Sequence, residues 1–176
     1  MTNSGISPWF ALVGVCLGFL LGEGSRYLRY RLEIFRNKRL VRAELQSVLA
    51  QLPFKRDILA QAVKHMNGQR FLPMVATATV TSGYLPIQQA LYPHLKPVER
   101  NCLHIIFERL RVLDEQMAGM EDAFMRAIKD KVVTDPWVIY SGRCEELLAS
   151  CGVVAELAQS YLEGNAIDVY PPGRDG

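Results

Sequence analysis

Residues 11–24, ALVGVCLGFLLGEG, constrain this chain more than any other stretch, because a greasy run with a glycine at every fourth place has few ways to fold. Glycine weakens a helix in water. Yet Gly14, Gly18 and Gly22 stand four residues apart, and Ala11 extends their face by one turn. No charge occurs between Ile6 and Gly22. As a helix those residues span roughly 25 Å, the short end of a bilayer's hydrocarbon thickness. Trp9 at one end, with Tyr27 and Tyr30 past the other, has the placing of interfacial aromatic rings. A cleaved signal peptide fits badly: residues 1–7 carry no lysine or arginine, and no A-x-A-like site follows Leu21. The run therefore predicts a retained transmembrane helix within residues 1–25. Its small-residue face (Ala11, Gly14, Gly18, Gly22) predicts close helix packing and a homo-oligomer.

Charge sharpens this expectation. The net charge of +2 hides seven basic residues between Arg26 and Arg42 (Arg26, Arg29, Arg31, Arg36, Lys38, Arg39 and Arg42) against one acid, Glu33. From Ala43 onward 13 basic residues face 16 acidic ones, so the excess is local. Beside a membrane helix such a cluster predicts contact with anionic lipid headgroups of the bilayer and argues against a nucleic-acid partner. It also sets an orientation in the bacterial inner (plasma) membrane, with a short N-terminus outside and the remainder cytoplasmic. Glu23 pairs locally with Arg26 at i+3 in this reading.

The rest reads as helical. Residues 26–42 form a basic juxtamembrane helix, 43–165 a cytosolic helical bundle and 166–176 an extended or disordered tail. Leu28, Leu32, Phe35, Val41, Leu45, Val48, Leu49 and Leu52 keep a helical period, and Pro53 either kinks the helix or opens the next segment, to Met66. Asn67-Gly68-Gln69 reads as a break. The alternation in residues 76–81 has no second strand to pair with, so a loop feeding a short helix from about Ser82 to Tyr92 is expected. From Pro97 to Asp130, Cys102, Ile106, Leu110, Leu113, Met117, Met120, Phe124 and Ile128 follow bundle spacing. Asp135-Pro136-Trp137 opens a last helix and Gly164-Asn165 closes it, with Tyr140, Cys144, Leu147, Cys151, Val154, Ala158 and Tyr161 facing inward. The expected fold class is all-α: one N-terminal transmembrane helix followed by an up-and-down bundle of about four helices.

Little chemistry is encoded at fixed spacing. His65, His94 and His104 lie in separate segments, and no phosphate loop, dinucleotide fingerprint or nucleophile elbow occurs. No catalytic residue, metal ligand or cofactor is expected, and the chain does not read as an enzyme. Cys16, Cys102, Cys144 and Cys151 form no C-x-x-C pair and read as reduced thiols. Met117, Met120 and Met125 read as core filling before a binding strip. The greasy run, the segment RYLRYRLEIFRNKR and the Glu44-Leu45 that follows resemble uncharacterised bacterial single-pass membrane proteins with a basic juxtamembrane helix and an all-helical cytosolic domain. That resemblance implies an architecture and no activity. Two functions fit: a membrane-anchored, self-associating interaction or scaffold protein with a cytosolic protein partner, and a membrane-perturbing sensor-effector of defence or lysis type triggered through its bundle.

Overall fold

The computed structural model describes residues 8–73, 78–79, 84–130 and 135–167, with backbone alone at residues 8, 10, 11 and 84–86. Four α-helices appear in chain order: α1 (Pro8–Asn67), α2 (Tyr84–Leu91), α3 (Pro97–Asp130) and α4 (Pro136–Leu162), with a 3₁₀ turn at Tyr92–His94. No strand occurs among the described residues. Apart from Ala78 and Thr79, the alternating stretch 76–81 lies outside them, as do Ser82 and the tail from residue 168. Two compact units divide the chain, Met1–Arg39 and Leu40–Gly176.

The second unit is a helical bundle whose directions follow from its contacts. Ser141 at the start of α4 donates its hydroxyl to Asn67 at the end of α1 (2.8 Å), and Arg42 donates to the Leu162 carbonyl at the other end. The Cys102 thiol near the start of α3 points at the Leu157 carbonyl (3.8 Å), while Phe124 meets Tyr140 edge-on at 5.2 Å. So α4 runs antiparallel to both α3 and the 40–67 part of α1. Among the described residues of the descending connection between α1 and α3, helix occurs in the short α2 and the 3₁₀ turn.

Burial follows the apolar periods. Val41, Leu45, Val48, Leu52, Leu59, Ala62 and Met66 of α1 are buried, and the α3 stripe is buried from Cys102 to Phe124. Ile128 is 42% exposed, and Ala127 takes the inward place in the last turn. Met117 and Met120 are core while Met125 is 55% exposed, so the three form no shared strip. On α4 every expected inward residue is buried except Tyr161, which is half-buried against the core. At one end of the bundle Phe124 stacks on Phe71 (4.8 Å, 9° between planes) and meets Trp137 edge-on at 4.8 Å.

Helix ends are set by local chemistry. Asp135 caps α4 by accepting from the backbone N–H of Trp137 and Val138 (3.1 and 3.3 Å), with Pro136 in the first turn. Gly164 has φ 83°, and the bonds Gly164 N–H to Tyr161 and Asn165 N–H to Ser160 complete a Schellman motif. The same motif ends α1, but there the left-handed residue is Gln69 (φ 51°), not Gly68. α1 continues through Pro53, whose ring is exposed and which leaves out one helix hydrogen bond.

The expected transmembrane helix is overturned. Among the described residues no helix is long and apolar enough to cross a membrane. The described part of α1 is uncharged over Pro8–Gly22, roughly 22 Å, against about 30 Å of hydrocarbon. Glycines at 14, 18 and 22 dilute that part, and Glu23, Arg26, Arg29 and Arg31 follow within the next turns. The single-pass inner-membrane placement and its orientation fall with the helix that required them.

Candidate functional site

Among the described residues two places stand out, an exposed apolar stretch in the first unit and a polar-rimmed cavity in the second. In the first unit, α1 carries its bulky apolar side chains in the open. Val15 is 71% exposed, Phe19 68%, Leu21 72% and Leu32 64%, and Leu12, Val13, Leu17, Leu20, Leu28 and Phe35 are exposed as well. At 100° per residue, positions 12, 13, 15, 17, 19, 20 and 21 cover about three quarters of the helix circumference. Gly14, Gly18 and Gly22 occupy the remaining quarter, and a Cβ added at any of them would meet nothing within 4 Å. The Ala11 side chain lies outside the described residues.

Of the seven basic residues, Arg26, Arg29, Arg31, Arg36, Arg39 and Arg42 are exposed and Lys38 is half-buried. Arg26 pairs with Glu23 at 3.2 Å, the guanidinium of Arg39 sits 5.6 Å from the Phe35 ring, and Arg42 holds the last carbonyls of α4 through Leu162. Three of the cluster thus have protein partners.

In the second unit, one face of α3 (His104, Phe107, Glu108, Arg111, Asp114, Glu115) lines a cavity of about 430 Å³ with Ala78, Thr79 and Gln88. Asp114 anchors it. One carboxylate oxygen accepts from the Lys55 ammonium (2.7 Å) and the Thr79 hydroxyl (3.1 Å), and the other from the Thr79 backbone N–H (2.6 Å). The Lys55 side chain is 4% exposed and that of Asp114 18%. At the rim Arg111 is clamped between Glu108 and Glu115, 2.5 Å from each. The hydrogen bonds from Arg111 hold the Glu108 carboxyl below its ordinary range, and the two carboxylates push Arg111 further up.

None of Lys55, Thr79 and Asp114 stood out in the sequence. The signal was there for Lys55, which falls on the inward face of α1 three residues after Leu52 and four before Leu59. A lysine at such a place must find a carboxylate. Cys102, Cys144 and Cys151 are buried, and burial pushes all three thiols up. Among the described residues no group of histidine, cysteine and carboxylate side chains could hold a metal ion.

No protein family, curated protein or solved structure matches the chain.

Proposed function

We propose that the chain is a self-associating helical interaction protein, whose N-terminal unit pairs with the same unit of a second copy. The observation that supports this is the apolar exposure on α1 between Leu12 and Leu21. It amounts to an exposed patch on the order of 800 Å², well beyond what isolated surface residues leave open. A helix apolar on nearly all sides is stable in water only when others surround it. Covering half of that area would contribute about 10 kcal/mol before the costs of association.

Two features favour a second copy as the occupant. The glycine quarter lets an identical backbone approach closely, with nothing of its own chain in the way. Charge favours an antiparallel arrangement, because pairing centred on Gly18 carries the Arg26–Arg39 segments to opposite ends instead of stacking them.

Cys16 is exposed while the other three cysteines are buried, but it lies about 160° round α1 from Gly18, so the test moves the exposed thiol onto the glycine face with Cys16→Ser combined with Gly18→Cys. A short bismaleimide added to that variant of the full chain in lipid-free buffer should give a covalent dimer, and Cys16→Ser alone should give none. Absence of the dimer at tens of micromolar protein would overturn the proposal. So would a dimer that forms only when anionic lipid vesicles are added, because lipid would then be the partner.

A further inference from the structure

Past its uncharged stretch, α1 carries a second open face within the first unit, and the layout of that face specifies a partner. At roughly 100° per residue Leu28, Leu32 and Phe35 fall within about 60° of one another. All three are more than half exposed, so they form an open apolar stripe.

The charges around that stripe are sorted by side. Arg29 and Arg36 project from one flank and Arg31 and Lys38 from the other, each about 65–95° from the centre of the stripe. Arg39 closes it at the C-terminal end, with its guanidinium over the Phe35 ring. The acids lie behind: Glu33 and the paired Glu23 and Arg26 are more than about 130° away round the helix. Arg29, Arg31 and Arg36 are exposed and enter no ion pair among the described residues.

An apolar stripe with cations along both edges matches a surface that is apolar at depth and anionic at its rim. The surface of an anionic bilayer is built that way. The stripe enters the boundary between headgroups and acyl chains, and the flanking side chains reach up to the phosphates. A nucleic acid duplex is anionic without an apolar layer, and its phosphates would leave the three apolar side chains uncovered.

We propose that residues 28–39 of α1 dock on the surface of an anionic bilayer, with the helix lying along the interface and not across it. A helix in that position needs no spanning length. Pairing of copies through residues 12–21 uses a different part of α1, and neither interaction depends on the other.

Co-sedimentation of the full chain with lipid vesicles tests the proposal. Vesicles of equal parts phosphatidylserine and phosphatidylcholine should bind it at least about tenfold more tightly than phosphatidylcholine alone. An arginine at such a surface contributes about fivefold, so Arg29→Gln combined with Arg36→Gln should weaken binding about twentyfold. Arg29→Lys combined with Arg36→Lys should retain most of it. Arg26→Gln makes the same charge change on the back of the helix and should cost about twofold at most. Leu28→Gln combined with Leu32→Gln should weaken binding about tenfold, because the stripe then has little to bury. These positions are exposed and outside the bundle core, so circular dichroism should show the helical content retained. Equal binding to phosphatidylcholine alone would overturn the proposal, since the uncharged stretch would then carry the contact. So would a loss from Arg26→Gln as large as that from Arg29→Gln, or indifference to Leu28→Gln with Leu32→Gln. Should a variant lose helix, the wild type still decides: raising salt from about 0.1 to about 0.5 M should release it from the anionic vesicles, and retention would overturn the assignment.

Discussion

Replacing Asp114 by asparagine tests the way the second unit is held together at the buried Lys55. The change is nearly isosteric. Asparagine retains a carbonyl oxygen for the Thr79 hydroxyl or backbone N–H, so the lost element is the charge opposite Lys55. Breaking a buried ion pair by removing one partner costs ~3–5 kcal/mol when both groups are fully desolvated. Lys55 is, at 4% side-chain exposure, but Asp114 retains 18%, which brings the expected loss to about 2–3 kcal/mol. For a domain of this size that moves the urea midpoint down by about 1–1.5 M. Lys55→Met removes the ammonium and leaves Asp114 with both Thr79 bonds, so it should cost less, about 1–2 kcal/mol. The double variant should be no less stable than Asp114→Asn alone, giving a coupling energy of at least about 1–2 kcal/mol. Additive losses, or an Asp114→Asn variant within about 0.5 kcal/mol of wild type, would refute the assignment of this pair as a buried strut.

Other outcomes follow from single features. Gln69→Gly should stabilise the chain by up to about 1 kcal/mol in urea melts, because Gln69 holds a left-handed φ of 51° at the end of α1 where glycine pays no steric penalty. Under native conditions a thiol reagent should titrate Cys16 first, with Cys102, Cys144 and Cys151 reacting only on unfolding, since they are buried with thiols pushed up. Burial, then the nearby Glu99 charge, pushes the Tyr161 phenol up to about 12. Its folded value exceeds the ordinary 10, so its contribution is intact below pH 10 and is lost as pH rises towards 12, a window that absorbance titration of wild type against Tyr161→Phe resolves.

The bundle was legible because its helices are long and regularly patterned. The α3 stripe from Cys102 to Phe124 and the Asp135 cap of α4 are local signals that tertiary packing had no reason to override. The connection was legible only in part: one eight-residue helix, α2, gives no more than two turns of period to read. Charge at a distance was invisible. Lys55 and Asp114 are 59 residues apart, and nothing in the sequence says which carboxylate would face the buried lysine. The same holds for the cavity, which exists because α3 passes the 78–79 segment and α2. The N-terminal run misled for a physical reason. Counting its uncharged length from Ile6 brought it close to a bilayer's thickness, but the described helix is uncharged only over Pro8–Gly22 and meets charge at Glu23. Hydropathy without sufficient length identifies a surface that needs covering, not the solvent that covers it.

Sedimentation velocity on the full chain, in buffer free of lipid and detergent, tests the central claim most directly. The wild type should sediment as a concentration-dependent multiple of 19.8 kDa, dimer or larger, at tens of micromolar. Val15→Glu combined with Leu21→Glu places charge on two exposed positions of α1 that flank the glycine face, outside the bundle core. That variant should sediment at 19.8 kDa with its helical content unchanged. A wild-type chain that is monomeric across the whole concentration range, or an oligomer that the two glutamates leave intact, would contradict the account.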